Sequence, residues 1–269
     1  MHFGATLRVM RLESGLGLRE LASRVGVSSA YLSRVENGLD PAPTPARLEV
    51  LARELRVPPT LLMSLAQRVS PLVMDYVETT PEAGTLFLDI AHRELDAAQL
   101  AEVQAFVAAR FPTKRRDESV GALAELLTPE RVVTGLSCAT LDDALDIAAG
   151  KLGRTTPGGP AAVAAALRAR EAEASSAIGG GVAVPCAYLP GAKLAASVVL
   201  LSRGLKAATP DDVPLEVLVC FVGPRESPER RVTLAHVARL AARGLAAELK
   251  RARTPAQVLA RLSQLELFR

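Results

Sequence analysis

Residues 18–38 read LRELASRVGVSSAYLSRVENG, and this stretch decides the fold of the N-terminal part of the chain. Apolar residues recur at helical spacing on both sides of Gly26, which predicts two short helices joined by a tight turn. Gly26 suits the turn because a residue without a Cβ adopts positive φ at little cost. Ser28 is a good N-cap for the second helix, and Leu32 and Val35 return its apolar face to a core.

This stretch, with its closing Glu36-Asn37-Gly38, closely resembles the Xre/Cro family of phage-repressor-like helix-turn-helix proteins. The small side chain of Ala22 fits that resemblance, because a larger one would hold the two helices apart. The resemblance implies an all-α DNA-binding domain of five helices, which we place at residues 1–68. Thr44-Pro45 is expected to open the fourth helix and Pro58-Pro59 the fifth.

The resemblance also implies which side chains contact DNA, because the N-terminal residues of the second helix reach base edges in the major groove. Four residues are expected to face the groove: Ser28, Ser29, Ala30 and Arg34. Arg34 is the best candidate for binding a guanine through two hydrogen bonds, although a solvated surface arginine is the alternative. Arg19 is expected to contact a phosphate. Tyr31 is expected either to lie against the sugar-phosphate backbone or to cap the core.

A single domain of this kind makes few DNA contacts, so specific binding generally needs two half-sites and therefore a dimer. Residues 69–118 are expected to form a helical connector with helices over 85–95 and 96–111. An apolar stripe on the second helix would not remain in water; its residues are Leu100, Val103, Phe106 and Val107. The stripe is expected to pack on the DNA-binding domain or, as we favour, on a second copy. The charged run 114–118 is either a solvated hinge or an extra phosphate contact.

The rest of the chain mixes strand-like runs with helices, which predicts an α/β domain over 119–269. Its last apolar run, Leu215 to Val222, is typical of a strand buried on both faces. The segment 166–190 reads ALRAREAEASSAIGGGVAVPCAYLP. It resembles the active-site region of enzyme IIA of the fructose/mannitol class of the sugar phosphotransferase system, nitrogen-related members included. The resemblance extends roughly from Leu123 to the end of the chain.

The resemblance implies a degenerate phosphorylation site, because the family's phosphoryl-accepting histidine aligns with Cys186. A second family histidine aligns with Arg231, and a basic residue of the family aligns with Tyr188. Arg170 is the family residue that this chain keeps. Three interpretations of Cys186 stay open: an inert residue in a retired site, a thiol sensor, or a phosphoryl acceptor that Arg170 and Arg231 would activate.

Composition excludes several other kinds of protein. The three cysteines are far apart and make neither a disulfide framework nor a zinc set. No apolar run approaches the roughly 18 residues that a membrane helix needs, and no signal peptide is apparent. We therefore expect a cytoplasmic protein with no membrane partner. No catalytic Ser/His/Asp set or phosphate-binding loop is visible, so we expect no enzyme, no cofactor and no metal.

Together these patterns predict a multidomain, sequence-specific transcriptional regulator with a non-phosphorylatable enzyme-IIA-like domain for sensing or interaction. The expected partners are double-stranded DNA, a second copy of the chain, and phosphotransferase-system or other regulatory proteins. One alternative is a phosphocarrier or thiol-based sensor that uses Cys186. Another is a protein–protein adaptor whose helix-turn-helix does not bind DNA.

Overall fold

A computed structural model describes residues 2–67, 69, 71–111 and 122–267 of the chain. The charged run 114–118 lies outside the described residues. Within residues 2–67 the five expected helices are confirmed: α1 Phe3–Glu13, α2 Leu18–Val25, α3 Ser29–Glu36, α4 Pro45–Leu55 and α5 Pro59–Leu65. Gly26 ends α2 with a φ of 74°, and the Ser28 hydroxyl accepts a hydrogen bond from the Tyr31 amide at 3.1 Å. The turn and cap therefore form as the sequence predicts.

Helix α1 is closely joined to α3. A Cβ on Gly4 would lie 2.1 Å from the Val35 carbonyl oxygen, so only glycine permits this approach. The guanidinium of Arg11 donates two hydrogen bonds to the buried Glu36 carboxylate, at 2.6 and 2.9 Å. A bidentate buried pair of this kind fixes orientation as well as distance. The two helices therefore behave as one unit.

Three helices follow the DNA-binding domain: α6 Pro71–Thr79, α7 Pro81–His92 and α8 Ala97–Arg110. The sequence predicts a helix over 85–95, whereas α7 begins four residues earlier and ends three residues earlier. The sequence did not predict helix α6. In α7 the proline stands in the first turn, where it favours a helix and does not interrupt one. Helix α8 begins with a capping box between Asp96 and Gln99, whose two hydrogen bonds are both 2.9 Å long.

The C-terminal domain is a mixed α/β layer structure, as its fold class predicted. Its strands are β1 Val132–Leu136, β2 Ala177–Gly179, β3 Val182–Ala183, β4 Cys186–Tyr188, β5 Ala195–Leu205 and β6 Leu215–Gly223. Its helices are α9 Leu141–Leu152, α10 Gly159–Glu173, α11 Pro228–Ala242, α12 Leu245–Leu249 and α13 Pro255–Leu267. The sheet order is β1-β5-β6-β3-β2, and β4 also pairs with β6.

Strand directions in this sheet are mixed. The long central strands β5 and β6 are antiparallel, whereas β1 is parallel to β5. Short strands β3 and β4 lie parallel to β6, and β2 pairs antiparallel with β3. Every β6 residue except Glu216 is buried, because helices cover both faces of the sheet. Helices α9 and α10 contribute to the apolar cluster on one face, and α11 to α13 to that on the other.

The DNA-binding domain is docked on the second of these faces. Helix α1 packs against β2 and α11, and α5 packs against α11. The backbone N–H of His2 donates to the Ile178 carbonyl at 2.8 Å. Buried residues of both domains, such as Leu7, Leu62 and Leu234, belong to one continuous apolar cluster. We call this contact of α1 and α5 with α11 and β2 the domain junction; the sequence did not predict it.

Candidate functional site

The recognition helix α3 remains exposed while the domain is docked. Ser28, Ala30 and Arg34 are exposed, and Ser29 is half-buried. Arg19, expected at a phosphate, is exposed at the start of α2. Most of the side chains expected to contact DNA are therefore accessible to solvent, at the first turn of α2 and along α3.

Arg34 already binds a carboxylate of its own domain. Its Nη2 lies 2.7 Å from Asp40 Oδ1, and its Nε lies 3.0 and 3.1 Å from the two carboxylate oxygens. The Arg34 side chain is 59% exposed. The hydrogen bonds from Arg34 lower the pKa of Asp40; burial opposes this effect, and the charge of Arg34 adds to it. To bind a base, Arg34 would exchange Asp40 for a guanine edge.

Tyr31 occupies an intermediate position. Its ring is half-buried and packs against the apolar core of the domain. The Arg47 guanidinium lies over the ring, 5.5 Å from its centroid. This placement matches the capping interpretation of Tyr31, and it leaves Arg47 at the surface beside α3.

The second candidate site lies at the domain junction, around Cys186 at the start of β4. The thiol is buried and donates to the Val184 carbonyl at 3.4 Å. Arg170 approaches from α10, Tyr188 from the end of β4 and Arg231 from the first turn of α11. The structure therefore brings Arg170 and Tyr188 close to Cys186, and it places Arg231 beside Arg230.

A residue of the DNA-binding domain enters this site. The Tyr188 hydroxyl donates to Glu13 Oε1, and Arg230 Nε donates to Glu13 Oε2 at 3.0 Å. Arg170 Nη2 lies 3.7 Å from Glu13 Oε1. Glu13 is the last residue of α1, and its side chain is only 1% exposed. We call the group formed by Arg170, Cys186, Tyr188 and Arg230 the Glu13 pocket.

Sequence reasoning missed both Glu13 and Arg230. Arg230 is fully buried, and its two terminal nitrogens donate to the Pro224 and Arg225 carbonyls. The sequence feature that points to Arg230 is its place beside Arg231, in a pair of arginines at the start of α11. Glu13 carried no local signal, because an acidic residue at the end of a short helix is ordinarily solvated.

The Glu13 pocket keeps the thiol protonated. Burial first, and the Glu13 carboxylate second, raise the pKa of Cys186 well above its ordinary value, although Arg230 and Arg170 act in the opposite direction. Burial and Glu13 likewise raise the pKa of Tyr188. A protonated, inaccessible thiol is a poor nucleophile. The arrangement is suited to binding an anion and poorly suited to transferring a group.

Other conspicuous residues have structural roles. His236 is buried, with Nε2 2.9 Å from Glu266 Oε1. Glu266 also accepts hydrogen bonds from the amides of Leu123 and Ala124, at 2.7 and 3.2 Å. Cys220 lies in the core, on β6. Across the described ranges we find no cluster of metal-ligating side chains and no helix that could span a bilayer.

Residues 125–265 match the family model described as phosphoenolpyruvate-dependent sugar phosphotransferase system, EIIA 2, which covers just over half of the chain. The chain belongs to this EIIA 2 family. Residues 2–65 match a second model, described as a helix-turn-helix domain. Both resemblances read from the sequence are confirmed. This EIIA 2 protein therefore carries a helix-turn-helix domain ahead of its EIIA-like domain.

Curated relatives match the N-terminal part. The chain is 40% identical over 81 residues to the HTH-type transcriptional repressor RghR of Bacillus subtilis (strain 168), covering 30% of this chain and 54% of that protein. It is 40% identical over 67 residues to an uncharacterized HTH-type transcriptional regulator, RghRB, of the same organism, covering 25% and 48%. The chain thus spans about half the length of the curated relatives it matches.

Solved structures match the C-terminal part. Nitrogen regulatory protein IIA-Ntr from Neisseria meningitidis is 21% identical, with a TM-score of 0.47 over 52% of this chain and 98% of that one. IIA mannitol from Escherichia coli is 22% identical, with a TM-score of 0.42 over 51% and 98%.

Proposed function

We propose that this protein is a non-enzymatic, sequence-specific DNA-binding transcriptional regulator, in which the EIIA-like domain controls how the helix-turn-helix domain is held. The observation that carries the proposal is the position of Glu13. This residue binds in the EIIA-like site while α3, on the same domain, remains exposed. The names of the N-terminal relatives, a transcriptional repressor and a transcriptional regulator, support the same class of function.

In this proposal, the EIIA-like domain acts by binding and no longer transfers a phosphoryl group. Cys186 stands where the family resemblance places the acceptor histidine, and its thiol is buried and protonated. Such a site is poorly suited to a phosphocarrier or a thiol sensor, because both functions require a solvent-accessible thiolate. Partner proteins of the phosphotransferase system would act by contact with this domain.

The domain junction can influence DNA binding through α1. Glu13 ends α1, and α1 is fixed to α3 by the Arg11–Glu36 pair and the close approach at Gly4. The state of the junction therefore determines where α3 points relative to the EIIA-like domain. In a dimer, that orientation sets the separation of the two recognition helices and thus the half-site spacing.

We propose that the second copy binds through the connector helices α6 to α8. Eleven of their described large apolar side chains are exposed: Val73, Met74, Tyr76, Leu86, Phe87, Leu88, Leu100, Val103, Phe106, Val107 and Phe111 at the end of α8. Together they offer on the order of 800 Å² of apolar surface, about what each partner buries in a stable interface. So many exposed apolar side chains on three successive helices favour a partner that covers them. The expected stripe on α8 thus faces solvent within one chain.

The dimer proposal is tested with Phe106→Asp on α8, which would bury a charge in the interface. We expect wild-type protein to sediment as a dimer and the variant as a monomer. Ile147→Asp is the control, because Ile147 is an exposed apolar residue on α9, outside the connector. Wild-type protein that remains monomeric at micromolar concentration contradicts the proposal.

Selection of bound sequences from random duplexes tests the DNA-binding proposal. Arg34→Ala should relax preference at one base pair and weaken binding to the selected site roughly 10- to 100-fold. Arg19→Ala should weaken binding to all duplexes alike and reduce the salt dependence. An adaptor that does not bind DNA would show no enriched sequence and no steep salt dependence with wild-type protein.

A further inference from the structure

The domain junction holds more positive than negative charge. Arg230 and Arg231 are buried there, with Arg230 fully inaccessible, and the side chain of the half-buried Arg170 is 12% exposed. Glu13 is the buried carboxylate that they face. Arg56, at the C-terminal end of α4, brings a further positive charge close to Arg231 from the DNA-binding domain. The exposed Glu226 is a further acidic group acting on Arg231.

Three guanidinium nitrogens at this junction are buried without a hydrogen-bond partner among the described residues: Arg170 Nη1, Arg231 Nε and Arg231 Nη2. Burial, followed by repulsion from Arg56 and Arg230, lowers the pKa of Arg231. A buried charged donor without an acceptor is costly, and native structures rarely keep one without a reason. One carboxylate does not satisfy these arginines.

We propose that the Glu13 pocket, extended by Arg231, is a binding site for a phosphate-class oxyanion, and that this ligand displaces Glu13. A phosphate dianion has four oxygens and twice the charge of a carboxylate. It can accept from Arg170, Arg230 and Tyr188 in place of Glu13, and also from the unpaired nitrogens of Arg231 and Arg170. Planar guanidinium groups bind such an anion through paired hydrogen bonds.

Two properties of the Glu13 pocket imply that phosphate displaces Glu13: the negative charge of both groups, and the burial of the pocket. The phosphate and Glu13 are both anions and require the same donors, so they exclude each other. The pocket is closed while α1 is docked, because Glu13 is buried in it. The ligand therefore binds the undocked state, and its apparent affinity falls by the fraction of molecules that are undocked. Bound phosphate would release α1, and the α3 joined to it, from the EIIA-like domain. This inference goes beyond DNA binding and is tested without DNA.

Titration calorimetry with inorganic phosphate, on the full-length protein at constant ionic strength, measures the binding directly. We expect wild-type protein to bind phosphate with millimolar affinity or better. Glu13→Gln should bind about tenfold more tightly or more, because the competing charge is gone. Arg231→Met should weaken binding about tenfold or more, and chloride should not compete. Glu20→Gln, which removes an exposed carboxylate on α2, is the matched control and should bind as wild type.

Hydrogen exchange measured by mass spectrometry shows whether binding opens the junction. In wild-type protein, phosphate should accelerate exchange in peptides covering α1, while peptides covering β5 and β6 stay protected. Absence of phosphate binding in both wild-type and Glu13→Gln protein overturns the proposal. Equal affinities of these two proteins, or binding that leaves α1 protected, overturn the displacement of Glu13. Because Glu13→Gln opens the pocket without requiring Arg231, a folding defect in Arg231→Met would not decide the result.

Discussion

Two arginine–carboxylate pairs, one within the DNA-binding domain and one between it and the EIIA-like domain, lie in opposite environments. Arg34 and Asp40 form theirs at the surface beside the recognition helix, with side chains 59% and 20% exposed. Glu13 and Arg230 form theirs across the domain junction, with side chains 1% and 0% exposed. Hydrogen-bond lengths are nearly the same in the two pairs, at 2.7–3.1 Å and 3.0 Å. What differs is the solvent around them.

That difference decides what each pair can do. An exposed pair contributes little to stability, because water and salt compete with it, so Arg34 is available for exchange onto DNA. A buried pair is different, since removing one partner leaves the other charge desolvated. The Glu13–Arg230 pair therefore fixes the domains together until a stronger anion replaces Glu13. In the proposed function, the same chemistry would serve DNA recognition at Arg34 and domain attachment at Arg230.

The largest expected effect comes from breaking the buried pair. Glu13→Gln preserves shape and removes the charge that Arg230 faces. Docking of the DNA-binding domain should weaken by about 3–5 kcal/mol, because Arg230 would remain buried with no counter-charge. Hydrogen exchange of α1 amides measures this directly. Glu20→Gln, which removes a carboxylate from an exposed pair, should leave the exchange of α1 amides unchanged. If both variants change the exchange of α1 equally, burial of the Glu13–Arg230 pair does not explain its effect on docking.

An intermediate effect is expected at Cys186, whose thiol reports access to the Glu13 pocket. Burial and Glu13 raise its pKa, so the folded state retains the proton as pH rises past the ordinary value for a thiol. Alkylation by iodoacetamide in the native protein should be on the order of 100-fold slower than in the denatured chain. Raising the pH from about 7 to 9 should accelerate alkylation of Cys186 only in the denatured chain, because only there does the thiol lose its proton in this range.

Site-resolved mass spectrometry separates Cys186 from the half-buried Cys138. Glu13→Gln should increase the native alkylation rate of Cys186. A rate already close to that of the denatured chain in wild-type protein would mean that the pocket is open.

The smallest effect is expected at the exposed pair. Asp40→Asn frees Arg34 and removes a negative charge beside α3, so affinity for non-specific duplex DNA should rise a few-fold at low salt. Thermal stability should hardly change, since the pair is exposed. Asp89→Asn is the matched control, because Asp89 pairs with Arg93 on α7, also at the surface. Weaker DNA binding by Asp40→Asn would indicate that Asp40 orients Arg34 for its contact.

Much of the fold could be predicted from sequence because its signals are local. The turn glycine at position 26, the caps at Ser28 and Asp96, and the continuously apolar β6 all depend on neighbours within a few residues. Short strands β2 and β4 were missed, since three residues carry too little periodicity to be recognised. Helix α6 was missed, since the connector was assigned only the helices over 85–95 and 96–111.

The candidate site was predicted only in part. Cys186, Arg170, Tyr188 and Arg231 came from family resemblance, and the structure brings the first three together and places Arg231 beside Arg230. Glu13 and Arg230 could not be found in this way, because 217 positions separate them along the chain. Their meeting depends on how one domain docks on another, and no local pattern records that.

A double-mutant cycle on the junction tests the central claim most directly: Glu13→Gln, Arg230→Met and the double variant, compared by chemical unfolding at neutral pH. If Glu13 and Arg230 attach the DNA-binding domain to the EIIA-like domain, the two changes will be coupled by about 1.5 kcal/mol or more, with the double variant more stable than the sum of the single changes predicts. Additivity within about 0.5 kcal/mol would contradict the claim, because it would show that the two charges do not interact in the folded protein.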